Sequence, residues 1–182
     1  GLAKQFELHK VERAYRAICY GVPDANEPRL RGVRGVNFEA GNVMKITTHL
    51  ARHRTDRQRQ AVFFEGGRHA VTRSRLLASY GCPATLSLIE CRLETGRTHQ
   101  IRVHLAHTGH GLLGDPVYGG RRKIGKKALS EASLALVSGF SRQALHAAVF
   151  GFEHPVSGEN TRFEAQYPTD FKTLLEALEK DG

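Results

Sequence analysis

No uninterrupted apolar run in the 182 residues approaches the length needed to cross a bilayer, and the first ten residues lack the long apolar segment of a secretory signal. A cytoplasmic protein is the expectation. Cysteine is scarce: Cys19, Cys82 and Cys91 lie far apart with no CxxC pair, and all three read as reduced, partly buried core residues. No HExxH pattern and no interleaved acidic or cysteine partner accompanies His99, His104, His107 and His110, while Arg97 and Arg102 oppose a nearby cation. No metal is expected, and these histidines read as hydrogen-bonding groups. Glycines 109, 111, 114, 119 and 120 fit neither GxGxxG nor GxxxxGK[ST], and no nucleophile elbow orders a Ser-His-Asp set. Nucleotide-cofactor binding and triad hydrolysis are left without support.

What the chain does have is arginine. Lys and Arg total 27 against 18 Asp and Glu, for a net charge of +9, and 19 of the basic residues are arginine, whose rigid fork suits phosphate. The excess is uneven, at +8 over residues 1–75 and +1 over residues 76–182. Such a distribution favours nucleic acid over a neutral small molecule as partner. The densest basic stretch holds Arg52, Arg54, Arg57 and Arg59 with His49 and His53. It reads either as a solvated loop or as an RNA-facing one, and the second is the expectation.

Along the chain, residues 2–9 look helical with Leu2 and Phe6 on one side, and Arg13–Tyr20 reads as a strand ended by Gly21. The first helix has no recognisable opening, which predicts a chain only partly represented at its N-terminus. Residues 22–42 are expected to form a loop region with a short strand near Val36–Phe38, followed by a strand from Val43. Ala61–Glu65 and His69–Arg73 flank Gly66-Gly67 as a predicted hairpin. A strand over Thr85–Leu93 changes phase near Leu88, suggesting a bulge. The helix after Gly96 is expected to be capped by Thr98, with Ile101 and Leu105 facing the core. Residues 121–130 read as a basic flexible insertion, Arg142–Phe152 as a buried strand, Arg162–Tyr167 as the return of a hairpin, and Asp170–Lys180 as an amphipathic helix. With no regular strand-helix repeat, the fold class is α+β, built on a largely antiparallel or mixed central sheet with flanking helices.

Two segments stand out: Gly96-Arg-Thr-His-Gln-Ile-Arg-Val-His104, and Gly114-Asp-Pro-Val-Tyr-Gly119 shortly after it. Together they closely resemble the third signature region of the RluA-type pseudouridine synthases. Val11–Gly21 resembles that family's tyrosine-bearing segment, residues 49–72 its intervening loop and hairpin, and Arg142–Pro155 its late strand. The four landmarks occur in the family's order and cover almost the whole chain.

The resemblance implies a pseudouridine synthase-like fold and isomerisation of uridine to pseudouridine in RNA, with structured ribosomal RNA as partner and no cofactor. It assigns Tyr15 to the target base and to proton transfer at C5, and Arg102 to pairing with the catalytic aspartate. Arg97 is left between an RNA phosphate and the motif turn, while His99 and Gln100 are assigned to supporting hydrogen bonds. Asp115 resembles a turn residue and not the nucleophile. The family's nucleophile belongs to an HRLD-type segment upstream of the tyrosine strand, and none precedes Tyr15 here. His53-Arg54-Thr55-Asp56 imitates that segment but follows the strand and lacks its Thr-Ser-Gly turn, so Asp56 is a decoy. The chain is therefore expected to be the larger part of such a catalytic domain; the alternative is an inactive RNA-binding or ribosome-associated relative.

Overall fold

The computed structural model describes residues 1–120 and 122–182; Arg121, part of the expected basic insertion, lies outside the described residues. The elements are α1 (Leu2–Glu7), β1 (Glu12–Tyr20), β2 (Val36–Glu39), β3 (Val43–Arg52), β4 (Gln60–Phe63), β5 (Arg68–Tyr80), β6 (Leu86–Leu93), α2 (Gln100–His107), α3 (Glu131–Gly139), β7 (Leu145–Glu153), β8 (Asn160–Glu164) and α4 (Thr169–Lys180). The strands form one sheet in the order β2-β3-β5-β6-β1-β7-β8, with β4 also on β3. Every pairing is antiparallel. The α+β class and antiparallel sheet expected from the sequence are thus present.

Because strand side chains alternate between faces, β1 and β6 at the centre of the sheet feed two cores. Ala17, Cys19, Ile89 and Cys91 join Ile101 and Leu105 of α2 and Met44 and Ile46 of β3 on one face. Ile18, Tyr20, Leu86 and Leu88 join Phe171, Leu174, Leu175 and Leu178 of α4 on the other. All four of those α4 residues are buried as their spacing predicts, each worth about 1.5–3 kcal/mol of transfer free energy. Burial on both faces also explains the apparent phase change at Leu88. The irregularity in the ladder lies on the partner strand, where the register shifts between Leu76 and Ala78 of β5.

Two local expectations fail here, and one helix goes unpredicted. Gly66-Gly67 does not close a hairpin between β4 and β5, because both strands pair with β3, His49 lying opposite Phe63 on one edge and His69 on the other. The two glycines instead carry the chain across the end of β3; both have φ near +70°, and a Cβ on Gly67 would sit 2.9 Å from the Leu50 carbonyl oxygen. Cys82 is exposed, lying in the turn after β5, whereas Cys19 and Cys91 are buried as expected. Helix α3, which the spacing of apolar residues does not predict, opens at Ser130, whose hydroxyl accepts from the Ser133 amide at 3.2 Å. Just before it, at the end of the basic insertion, Ala128 and Leu129 are buried, and Leu129 joins the core on the α4 side of the sheet.

The segment 111–113 fixes the functional end of the sheet. It continues the β1 ladder where β7 stops: Tyr20 donates to the Gly111 carbonyl, Leu113 to the Ile18 carbonyl, and Ala144 to the Leu113 carbonyl. Leu112 enters the α2-side core and Leu113 the α4-side core. The turn that follows is therefore attached to both layers.

Candidate active site

The loop from Thr95 to His99 enters α2 without the expected Thr98 cap. Thr98 is exposed and the residue at the cap position is His99, with φ 54° and no capping side chain. The entry is held by Gln100, which is 2% exposed. Its carbonyl oxygen accepts from the Thr95 hydroxyl at 2.8 Å and the Arg97 amide at 3.0 Å. Its amide donates to the Val71 carbonyl and the Thr72 hydroxyl, both at 2.9 Å. All four hydrogen-bonding positions of the side chain are used, tying the loop to β5. One turn on, His104 is fully buried between the Thr48 and Thr72 hydroxyls, each 2.8 Å away. Burial, with a smaller effect of His107, drops its pKa to about 3, so it is a neutral structural group.

Arg102 projects from the same helix toward the Gly114–Gly119 turn. Its Nε and Nη2 donate to the two carboxylate oxygens of Asp115, both at 2.8 Å, in a fork-to-fork pair. The arginine side chain is 10% exposed and the aspartate fully buried, so the pair is largely withdrawn from water. Burial alone raises the Asp115 pKa; the Arg102 fork and the amides of Tyr118 and Val117 outweigh it and hold the carboxyl below its ordinary value. Asp115 is a turn residue as well, accepting from Val117 at 2.9 Å and Tyr118 at 3.1 Å. Nη1 is the part of Arg102 not committed to Asp115.

Glycine is demanded at the ends of this turn. A Cβ on Gly114, which has φ +73°, would collide with the carbonyl oxygen of Arg142, and one on Gly119 with that of Leu112. The second arm of the motif is thereby pressed onto the strand-like segment beneath it.

Tyr118, to which the sequence assigns no role, is where several side chains meet. Arg102 lies 5.0 Å from its ring centroid and Arg59 5.4 Å. Its hydroxyl lies 2.8 Å from His99 Nδ1 and accepts from the Gln60 amide at 2.7 Å. His99 is held below its ordinary pKa by burial first and by the Arg102 charge second, which leaves Nδ1 able to accept from the phenol.

The residues singled out from the sequence are thus distributed unequally. Arg102, His99 and Arg59 converge on Tyr118, with Gln100 beneath them. Arg97 turns aside, its Nε donating to the His69 carbonyl at 3.0 Å on β5. Tyr15 is half-buried and packs against the apolar cluster that contains Ile101 and Leu105, on either side of Arg102 in α2. Arg52, Arg54 and Arg57 are exposed around the loop joining β3 to β4, with Arg54 5.6 Å over the Phe63 ring. Asp56 organises that loop: its carboxylate accepts from the Gln58 amide and its carbonyl from the Arg59 amide. Among the described residues no cluster of His, Cys, Asp and Glu could hold a metal ion.

Comparison with known proteins matches residues 1–107 to the family described as RNA pseudouridylate synthase. A protein of Zymomonas mobilis named ribosomal large subunit pseudouridine synthase D is 45% identical over 98% of this chain and 48% of its own length. A protein of that name from Xanthomonas campestris is 49% identical over 100% of this chain and 48% of its own length. The chain spans about half the length of these curated relatives. The fold is shared with the human RNA pseudouridylate synthase domain containing 1 and 4 proteins, each at TM-score 0.63, with 20% and 22% identity over 91% and 98% of this chain and 58% and 66% of theirs.

Proposed function

The chain belongs to the RNA pseudouridylate synthase family, and from that premise we propose that it supplies most of a catalytic domain isomerising uridine to pseudouridine in ribosomal RNA. In this reaction the bond from C1′ of the ribose to N1 of uracil breaks, the base turns, a bond forms from C1′ to C5, and the proton lost from C5 is matched by one taken up at N1, so that product and substrate are isomers. A target base must first be exposed from its RNA structure, and phosphate contacts and stacking in the pocket offset that cost. The ring of Tyr15 is the stacking surface and its hydroxyl the partner for the C5 proton. Arg102 orients the carboxylate of the upstream aspartate that the family resemblance calls for. Asp115 holds two of its donors, so the guanidinium presents Nη1 from a fixed position, the preorganisation that electrostatic catalysis requires.

The observation that carries this reading is the buried Arg102–Asp115 pair, built from the two arms of one signature and packed beside the cluster that receives Tyr15. The exposed arginines at 52, 54 and 57, with Arg59, supply RNA contacts, while Arg97 holds the His69 carbonyl and His99 the Tyr118 hydroxyl at the entry to α2. No cofactor enters the chemistry. Among the described residues no helix is long and apolar enough to cross a membrane, and a cytoplasmic location fits a ribosomal RNA substrate.

The test is conversion of uridine in ribosomal RNA by the full-length protein, beside a version whose upstream aspartate is replaced by alanine. Conversion by the first and loss in the second is expected. Tight RNA binding with no conversion by the natural full-length protein would overturn the reading in favour of an inactive RNA-binding relative.

A further inference from the structure

We infer that Tyr118 is a positioning residue that couples RNA engagement by the β3–β4 loop to the orientation of Arg102. The inference rests on the functional reading above for its chemistry, but its geometry stands on the contacts alone. The phenol touches both ends of the connection. On the loop side, its hydroxyl accepts from Gln60, the first residue of β4, at 2.7 Å, and its ring lies under the neighbouring Arg59. On the helix side, the same ring lies under Arg102, the hydroxyl meets His99 at the entry of α2, and the Tyr118 amide donates to the carboxylate that grips Arg102.

Two further features give the coupling a direction. The Nε of Arg59 is buried with no hydrogen-bond partner in the structure. A buried guanidinium donor without an acceptor is costly, so an RNA phosphate or base edge arriving at the loop has a defined group to satisfy. Satisfying it pulls Arg59 relative to the ring. The turn behind Tyr118 resists the displacement, because the amides of Val117 and Tyr118 are both bound to the Asp115 carboxylate, at 2.9 and 3.1 Å, and the space beside Gly119 is too small for a Cβ. Movement at the loop is therefore delivered to the ring, which the hydroxyl's bonds to Gln60 and His99 hold in register between the two arginines, and from the ring to the guanidinium of Arg102; a ring freed of those bonds turns in place instead of passing the movement on. Substrate contact at the exposed loop and alignment at the buried pair become one event, so RNA lacking the loop contact leaves Arg102 less well aimed.

The experiment uses the full-length protein labelled with 15N-arginine, with a ribosomal RNA stem-loop transcript as probe. The Nε–H resonance of Arg102, identified by its loss in Arg102→Lys, is expected to move on RNA addition in the wild type and to stay in place in Tyr118→Phe, which keeps the ring but removes both hydroxyl hydrogen bonds. Single-turnover rates with the same RNA should show Tyr118→Phe slowed about 10-fold at saturation with RNA Kd within about 3-fold of wild type. Arg59→Ala should slow the wild type but add nothing to the saturating rate of Tyr118→Phe, the non-additivity of a shared path. If Tyr118→Phe does not fold, His99→Asn, which tolerates the left-handed backbone while breaking the phenol hydrogen bond, should reproduce the effects. An Arg102 resonance that moves equally in both proteins, or does not move in the wild type, overturns the coupling, as do fully additive rates. Movement that depends on Tyr118 without any uridine conversion would instead retain the coupling and sink the synthase reading.

Discussion

Arginines in two regions of this molecule have different partners. On the face of the sheet that α3 and α4 cover at one end, Arg16 and Arg92 each reach Glu90 at 3.1 Å, Arg73 bridges Glu39 and Glu94 at 2.7 and 2.8 Å, and Arg92 and Arg162 share Glu12 at 3.1 and 3.2 Å. Near α2 and the β3–β4 loop, Arg34, Arg54 and Arg59 instead lie 4.2, 5.6 and 5.4 Å over the rings of Phe64, Phe63 and Tyr118, and no ion pair involves them among the described residues. A guanidinium on a carboxylate commits its edge donors and its charge; one on an aromatic face keeps its edge for something else. Part of the positive excess of residues 1–75 thus lies where arginine rests on rings. Arg102 belongs to both regimes, with its fork on Asp115 and its face on Tyr118.

That contrast can be broken by substitution. The largest expected effect is at the buried Arg102–Asp115 pair: Asp115→Asn leaves the Arg102 charge uncompensated and should cost about 3–5 kcal/mol of stability in urea unfolding, and a loss below about 1 kcal/mol would show that the pair is effectively solvated. Next, Arg102→Ala in the full-length protein should lower saturating turnover about 100-fold while RNA Kd changes less than about 3-fold. Equal losses in both would reassign Arg102 to RNA binding. Replacing Arg52, Arg54, Arg57 and Arg59 together by glutamine should flatten the dependence of log K on log salt by about 0.7–0.9 for each phosphate that is no longer neutralised. The same change at Arg73 and Arg92 should leave that slope unaltered, since their charges already face carboxylates; matching slopes would erase the distinction between the two regions. Smallest of all, Arg92→Ala should shift stability by only about 0.2–1 kcal/mol, the range of exposed pairs.

Where side-chain spacing alone decides structure, the sequence was legible. Phe171, Leu174, Leu175 and Leu178 announce α4, and Ile101 and Leu105 announce the buried side of α2. Turn chemistry was less informative: Gly66-Gly67 marks a reversal but cannot say that the chain crosses to the other edge of β3 instead of pairing back. Helix α3 was missed because Leu134, Leu136 and Val137 make no clean stripe, although Ser130 followed by Glu131 was a usable opening signal. In the site, the family motif drew attention to Arg102, yet its partner Asp115 lies thirteen residues away across two turns. No periodicity links those positions. Tyr118 had a signal in its spacing from Asp115, which lets an aspartate accept from the amide three residues on, but its contacts with Arg59 and Gln60 depend on tertiary folding.

The adjacent placement of Leu112 and Leu113 in opposite cores has a genetic consequence. Two residues before Asp115, the chain is held simultaneously by both hydrophobic layers. Substitutions accumulating beneath α4, on the far side of the sheet from α2, will therefore shift the seat of the Arg102 partner and, on the proposed function, surface as loss of turnover. Compensating changes should arise in the other layer, so that in descent the two cores vary together, joined through a single dipeptide.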